Sequence, residues 1–163
     1  MSVDAVCRRV GELEAPLVTV TGGEPLAQKG ALELISALCD QGYAVSVETS
    51  GAVDVAGVDS RATLVMDLKT PGSGEMERNL WENLERLRPE DQLKFVIRHR
   101  DDYEWSRRQV LERGLADRCQ VLFSPVWGEL DPARLADWIL ADGLPVRLQI
   151  QLHKILWGEE PGR

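Results

Sequence analysis

The stretch VTVTGGEP at residues 18–25 runs from β-branched residues directly into two glycines, an acid and a proline. Val and Thr favour the pleated surface of a strand. Gly22 and Gly23 allow positive φ angles and let a ligand approach the main chain closely. The stretch therefore predicts a strand that ends in a tight turn, whose exposed N–H and C=O groups could hold both ends of an amino acid. A plain turn between a strand and a helix is the alternative interpretation.

Five further runs have the composition of strands. They are dense in Val, Ile, Leu, Thr and Phe. With the first run at 17–21, they cover residues 44–49, 63–68, 92–97, 120–124 and 146–152. Several are apolar at nearly every position, as parallel strands covered on both faces tend to be.

Patterns with helical spacing separate most of these runs. They cover residues 3–13 behind Ser2, 31–38 ahead of Gly42, 80–87 ahead of Pro89, 103–115 (the weakest pattern) and 135–139 behind Asp131-Pro132. Ser and Asp are typical N-caps, and Gly is a typical residue just beyond a helix end. The connection at 52–62 is short and irregular.

The alternation of strands and helices predicts an α/β protein with parallel strands and crossover helices. An open doubly wound sheet and a partial (β/α) barrel both satisfy the pattern. In either architecture a ligand binds beyond the carboxyl ends of the strands. The length of 163 residues predicts one domain over residues 1–163.

Composition excludes several classes of partner. The net charge of −8 repels phosphate backbones and disfavours direct binding of nucleic acid. No apolar run approaches the ~20 residues of a membrane span, and the N-terminal residues lack the apolar core of a signal peptide. The three cysteines form no CxxC pair, and their odd number does not indicate a disulfide framework. A cytoplasmic protein is expected.

Polar residues follow the second and third strands. Glu48-Thr49-Ser50-Gly51 offers an acid and two hydroxyls, which suit sugar hydroxyls or an amine. Asp67-Leu68-Lys69 leads into a glycine-rich loop, where Lys69 offers a point charge for a carboxylate. A solvated N-cap cluster and an ion pair between Asp67 and Lys69 are the respective alternatives.

Polar and aromatic residues also lie at the ends of the last two predicted strands. Trp127 in Ser124-Pro125-Val126-Trp127 could stack on a flat heterocycle. Strand alternation places Gln149, Gln151 and His153 on one polar face, which requires partners. A partly buried Trp and a structural His are the alternatives. Polar or Gly-rich residues at five of six strand ends predict a cleft for a zwitterionic small molecule that carries a heterocycle.

Five segments together carry a family resemblance. GGEP after a strand is the signature turn of the radical S-adenosylmethionine (SAM) enzymes. The other four segments are ETSG at 48–51, DLKTPGSGE at 67–75, FSPVWGELDP at 123–132 and QLHKILWGEEPGR at 151–163. With these five segments in order, the sequence resembles the 7-carboxy-7-deazaguanine synthases over essentially the whole chain. The resemblance implies a partial (β/α) barrel with parallel strands, a radical SAM core that here lacks its first strand.

The resemblance also implies a reaction. In this family a [4Fe-4S] cluster reduces SAM to a 5′-deoxyadenosyl radical, which takes hydrogen from 6-carboxy-5,6,7,8-tetrahydropterin. The ring contracts, ammonia is lost, and 7-carboxy-7-deazaguanine forms for queuosine and other 7-deazapurines. Magnesium assists, SAM is regenerated, and these lyases are homodimers.

Site residues are implied by position. The SAM site would comprise Gly22, Gly23, Glu24, Glu48, Ser50, Asp67, Leu68, Lys69, Ser124, Pro125, Val126 and Trp127. The pterin would meet Thr21, Gln151, His153 and Pro161. Glu48 and His153 are the candidate catalytic residues.

One departure from the family is large. Its three cluster cysteines lie in a loop after a strand that precedes everything present here, and the loop residue expected to hold magnesium is missing with them. Cys7, Cys39 and Cys119 are predicted at a helix, a helix end and a strand start, so they cannot converge on one cluster. We therefore expect no metal ligands in this chain, Met1 to be an internal methionine or the start of a shortened chain, and the chain alone to be inactive.

Two other functions stay open on the residues. A non-catalytic module could hold SAM or a pterin and be completed by a partner chain. An unrelated βα enzyme could use His153 as a base and Glu48 as an acid, although no nucleophile elbow or metal triad supports it.

Overall fold

The computed structural model of the protein describes residues 1–158. Its strands are β1 Leu17–Val20, β2 Ala44–Thr49, β3 Thr63–Asp67, β4 Gln92–Ile97, β5 Gln120–Pro125 and β6 Arg147–Leu148. Its α-helices are α1 Val3–Gly11, α2 Ala31–Asp40, α3 Arg100–Glu112, α4 Pro132–Asp142 and α5 Leu152–Trp157. None of the helices in this part of the chain combines the length and the apolar composition needed to cross a membrane.

The strands form a six-stranded sheet in the order β1-β2-β3-β4-β5-β6. β1 pairs with β2, β2 with β3, and β5 with β6, in each case in parallel. The sheet is not closed, since β1 and β6 are its two end strands. The predicted α/β class, with parallel strands in a partial barrel, is confirmed.

The chain folds into two compact units, residues 1–67 with 78–92 and residues 68–77 with 93 onward. That all 163 residues form one domain stays a prediction. In the first unit, helices α1 and α2 cover β2 and β3 with apolar side chains. The core residues are Cys7, Ile35, Leu38, Cys39, Val45, Val47, Val55, Ala62 and Leu64.

Two buried polar side chains organise the irregular part of the first unit. The Asn83 amide donates to the carbonyls of Gly51 at 3.1 Å and Val53 at 2.8 Å. The Asp91 carboxylate accepts from the N–H of Leu64 at 2.8 Å and from the Arg88 guanidinium. Both side chains are completely buried. Their hydrogen bonds therefore pair main-chain groups that neither water nor a neighbouring strand pairs.

An aromatic cluster forms the core of the second unit. The Phe123 ring lies edge-on to Phe95 and Tyr103, with centroids 5.4 and 5.9 Å apart. The Tyr103 hydroxyl donates to the carbonyl of Trp138 at 2.8 Å and is 2.6 Å from the carboxylate of Asp142. These bonds fasten α3 to α4 over β5.

The predicted helix ends are confirmed where caps were identified. The Ser2 hydroxyl accepts from the N–H of Ala5 at 3.3 Å, and the Asp131 carboxylate accepts from Ala133 at 3.0 Å. Gly42 follows α2 with φ 86°, the left-handed conformation that suits glycine.

Two sequence predictions are wrong. The pattern at 80–87 forms a short 3-10 helix, Trp81–Arg86, instead of an α-helix. The predicted strand at 146–152 shrinks to two residues, and helix α5 begins at Leu152. Helical spacing of Leu152, Ile155 and Leu156 competes with the strand pattern there, and the run has no buried face that would favour the strand, because residues 147–150 are all exposed. Gln149, Gln151 and His153 therefore do not share one strand face.

Candidate functional site

The Gly-Gly turn follows β1 as predicted. Gly22 has φ 105° and Gly23 has φ 62°, conformations that a side chain would strain. A Cβ atom at either position would meet no atom within 4 Å. Glycine is thus needed for backbone shape and not for space, and the main chain of the turn stays open to a ligand.

The Glu24 carboxylate fastens this turn to the end of β2. It accepts from the N–H of Leu26 at 3.0 Å and from the N–H of Ser50 at 2.8 Å. The Thr49 hydroxyl lies 2.9 Å from both carboxylate oxygens, and the Ser50 hydroxyl donates as well. Because four protein groups occupy the carboxylate, Glu24 shapes the turn, and the main chain of Gly22 and Gly23 is what the turn presents.

The same bonds fix the charge of Glu24. Burial favours the neutral acid, but hydrogen bonds from Ser50, Leu26 and Thr49 outweigh burial and lower the pKa of the Glu24 carboxyl. An ionised carboxylate within the turn favours a cationic group nearby.

Thr21 and Glu48 lie together on neighbouring strand ends of the first unit. The Thr21 hydroxyl donates to the Glu48 carboxylate at 3.4 Å, and both residues are exposed. The two positions that the resemblance assigns to the pterin and to catalysis are therefore adjacent, with a carboxylate available as a proton acceptor.

In the second unit, the segment after β3 runs beside β4 and is hydrogen-bonded to it. The N–H of Leu68 donates to the carbonyl of Lys94 at 2.9 Å, and the Thr70 hydroxyl donates to the carbonyl of Val96 at 3.2 Å. Leu68 itself is 1% exposed, so its side chain belongs to the core. Lys69 is half-buried between these two anchored residues.

A cavity of about 440 Å³ lies beyond the end of β5 in the second unit. Trp127 is half-exposed there, while Ser124 and Pro125 are buried. The cavity is lined by Pro125, Trp127, Gly128, Glu129, Leu130, Asp131, Pro132, Ile150, Gln151 and Ile155. Its apolar walls, one indole and a few polar groups are typical of a site for a small heterocyclic ligand. The structure thus brings Trp127 and Gln151 to one cavity.

The remaining predicted residues are placed less completely. Asp67 is half-buried at the end of β3 and Val126 is half-buried after β5. His153 lies in α5 and Pro161 lies outside the described residues. That Gly23, Lys69, Trp127 and His153 serve a single ligand stays a prediction.

The cysteines do not fit an iron–sulfur cluster. All three cysteines of the sequence are described, and all are buried thiols outside any disulfide. Cys7 and Cys39 belong to the apolar core of the first unit, and Cys119 precedes β5 in the second. Within residues 1–158, no group of three or more His, Cys, Asp or Glu side chains could hold a metal ion. The expectation of no metal ligands in this chain stays a prediction.

Sequence reasoning named Thr49 only as a hydroxyl that could meet a ligand, and it did not identify Asp102 or Arg98. Thr49 is 3% exposed and bonds Glu24, and Asp102 is completely buried and accepts from Gly72. Arg98 bonds the carbonyl of Gly72. A signal existed for Thr49, which lies within the ETSG segment. None existed for Asp102, because an acid in the first turn of a helix is ordinary.

Curated proteins resemble the chain along nearly all of its length. It is 43% identical over 163 residues to the 7-carboxy-7-deazaguanine synthase of Chlorobaculum tepidum, which covers 98% of this chain and 74% of the relative. It is 40% identical over 176 residues to the synthase of Koribacter versatilis, covering 98% and 77%. The synthase of Thermoplasma acidophilum is 36% identical over 155 residues, covering 94% and 73%. No protein-family model matches the chain.

Two solved structures share the fold. QueE from Escherichia coli superposes with a TM-score of 0.70 at 22% identity, covering 93% of this chain and 64% of that one. Streptococcus suis SuiB bound to S-adenosylmethionine gives a TM-score of 0.59 at 12% identity, covering 90% and 40%. At these identities the likeness supports the parallel α/β architecture.

Proposed function

Because this chain belongs to the 7-carboxy-7-deazaguanine synthases, a family of radical SAM enzymes, we propose that it serves the conversion of 6-carboxy-5,6,7,8-tetrahydropterin to 7-carboxy-7-deazaguanine. The observation that carries the proposal is the 43% identity over 98% of the chain. The GGEP turn, held by Glu24 against the end of β2, is consistent with it. The product would enter the synthesis of queuosine and related 7-deazapurines, as the family resemblance implies.

We propose that the first unit binds the methionine end of SAM. The open main chain of Gly22 and Gly23 presents hydrogen-bonding groups to the ammonium, and the ionised Glu24 within the turn adds a favourable charge. The Ser50 hydroxyl and the Glu48 carboxylate lie at the end of β2, where they can meet the ribose. SAM, when bound, supplies the 5′-deoxyadenosyl group that this family uses to take hydrogen from the pterin.

We propose that the second unit binds the flat rings. Trp127 and the apolar walls of the 440 Å³ cavity suit an adenine or a pterin. Gln151 lines the same cavity and can donate to ring heteroatoms. Lys69, held between two anchored residues, offers a cation for a carboxylate, with Asp67, Leu68, Ser124, Pro125 and Val126 shaping the surrounding main chain.

We propose that Glu48 and His153 handle protons on the pterin. Glu48 is an exposed carboxylate that accepts a hydrogen bond from Thr21, so its oxygens are accessible to a substrate. Thr21 would orient it, and Pro161 would contact the substrate.

The cluster and magnesium belong to the family, but the described residues fit neither. No step is therefore assigned to them here. This misfit favours a second candidate function, in which the chain is a non-catalytic module that binds SAM or the pterin and is completed by a partner chain. Family membership leaves no support for the unrelated βα enzyme.

Assembly and location are further proposals. The family resemblance supports a homodimer, which sedimentation at several concentrations tests. Three buried thiols outside any disulfide are typical of a reducing compartment, which supports a cytoplasmic protein. The family resemblance supports a small-molecule substrate, and the net charge of −8 disfavours a nucleic-acid partner.

SAM binding to the full chain, measured by calorimetry, tests the proposed function. Gly23→Ala should lose SAM affinity, whereas Gly42→Ala should retain it. The two glycines make a matched pair, because each has a positive φ and open space where a Cβ would go. Equal affinity in both variants, or no binding by the wild type, would contradict the proposal.

A further inference from the structure

The segment that follows β3 is anchored at every second residue in the second unit. Leu68 donates its N–H to the carbonyl of Lys94, and the Thr70 hydroxyl donates to the carbonyl of Val96. The next anchor is Gly72, whose carbonyl accepts from the Arg98 guanidinium at 2.9 Å. The chain therefore runs beside β4 and its continuation beyond the last residue of β3.

Asp102 supplies the strongest part of the last anchor. Its carboxylate accepts from the N–H of Gly72 at 2.7 Å and from the N–H of Arg98 at 3.1 Å. The side chain is completely buried, and a buried carboxylate is costly unless such donors satisfy it. These two bonds therefore join Gly72 to the N–H of Arg98 through one buried side chain.

The identity of residue 72 supports this interpretation. A Cβ at Gly72 would lie 2.4 Å from one Asp102 oxygen and 2.8 Å from the other. No side chain fits in that space, so the carboxylate and the main chain approach as closely as they can. Glycine is required here for close approach, in contrast to Gly22 and Gly23.

Arg98 extends the anchor to the cavity. Besides its bond to Gly72, its guanidinium pairs with the Glu129 carboxylate at 2.9 Å, and Glu129 lines the cavity with Trp127. Both side chains of this pair are 47% exposed, so the pair itself adds little stability. Its role is geometric, because Arg98 contacts both the segment at 68–72, which contains Lys69, and the turn at 126–129, which contains Trp127.

We infer that Asp102 is a positioning residue for SAM binding: through Gly72, and together with Arg98, it fixes the segment that presents Lys69. The inference rests on the proposed function. Asp102 acts through main-chain groups and does not touch the ligand.

The test pairs Asp102→Asn with Asp91→Asn in the full chain. Asp91 is also a completely buried carboxylate that accepts main-chain N–H groups, but it belongs to the first unit and accepts from Leu64 and Arg88 instead of Gly72 and Arg98. We measure the dissociation constant for SAM by calorimetry, unfolding by urea, and the Gly72 amide resonance by nitrogen–proton NMR.

Asp102→Asn should move the Gly72 resonance and raise the dissociation constant by about tenfold, equivalent to about 1.4 kcal/mol. Asp91→Asn should lower stability and leave both readouts unchanged.

A milder pair covers the case in which Asp102→Asn fails to fold. Arg98→Gln removes the bonds to Gly72 and Glu129, while Arg108→Gln changes an exposed arginine of α3. Only Arg98→Gln should weaken SAM binding.

Three outcomes would overturn the inference in distinguishable ways. An unmoved Gly72 resonance in Asp102→Asn would contradict the anchor itself. A moved resonance with unchanged SAM affinity would show that the anchor is structural only. Absence of SAM binding by the wild type would overturn the proposed function and this inference with it.

Discussion

Glu24→Gln tests the central feature of the first unit, because glutamine keeps the shape of the side chain and replaces one acceptor oxygen with a donor NH2 group. Oε1 of Glu24 accepts from the N–H of Leu26, and Oε2 accepts from the N–H of Ser50. Whichever oxygen is replaced, one main-chain N–H then faces another donor.

The structure sets the magnitude of this effect. A partly buried N–H without an acceptor costs about 1–3 kcal/mol, and the surviving bonds weaken because they no longer involve a charged group. We expect the free energy of unfolding to fall by about 2–4 kcal/mol at neutral pH. Glu82→Gln is the control, because Glu82 is exposed in the same unit.

The pH dependence gives a second readout. The pKa of Glu24 lies below its ordinary value of 4.5 in the folded chain, so its contribution is present above the pKa of the unfolded chain. That contribution is lost as the pH falls through the folded-state pKa. Urea unfolding between neutral and acidic pH should therefore show less acid sensitivity in Glu24→Gln than in the wild type. A variant within about 0.5 kcal/mol of the wild type, which is the range of ordinary surface changes, with the same acid sensitivity, would refute the reasoning.

Three more predictions concern stability and metal content. Asp91→Ala leaves the N–H groups of Leu64 and Arg88 without their side-chain acceptor, while the Arg88 guanidinium keeps the carbonyls of Ser60 and Ala62. Urea unfolding should therefore show a loss of about 2–4 kcal/mol, and a loss below about 1 kcal/mol would argue against a structural role. Tyr103→Phe removes a hydroxyl whose pKa is raised, first by burial and then by Asp142, and should cost about 1–3 kcal/mol. The folded-state pKa of Tyr103 exceeds the unfolded one, so the hydroxyl contributes fully to stability below the unfolded pKa and loses that contribution at alkaline pH. The difference in free energy of unfolding between wild type and variant should therefore shrink as the pH rises. A difference that grows with pH would contradict this assignment. Anaerobic reconstitution with iron and sulfide should load far less than one cluster per chain, and elemental analysis showing about four irons per chain would contradict the placement of the cysteines.

The sequence predicted the elements with the plainest local chemistry. β2 and β4 occupy the residues expected from their β-branched and apolar runs, and Ser2 and Asp131 cap the helices that follow them. These predictions succeeded because caps and strand composition act within a few residues of the chain.

The failures have a common physical cause. The strand expected at 146–152 depended on burial of one face, and burial is decided by packing that the sequence does not display. Asp102 could not be recognised, since its partner Gly72 lies 30 residues away. Glu24 stays a predicted residue of the SAM site, but its contacts with the protein could not be foreseen, because Thr49 and Ser50 lie 25 and 26 residues away in sequence.

The bonds around Glu24 have a consequence for protein engineering. A designer who grafts only the four residues GGEP onto another α/β scaffold would transplant an acid without the hydroxyls of Thr49 and Ser50. Without these donors the carboxylate would be hydrated by water, and the loop would lose the conformation that it has here. A graft must therefore contain two parts, the GGEP turn and the end of the neighbouring strand with Thr49 and Ser50.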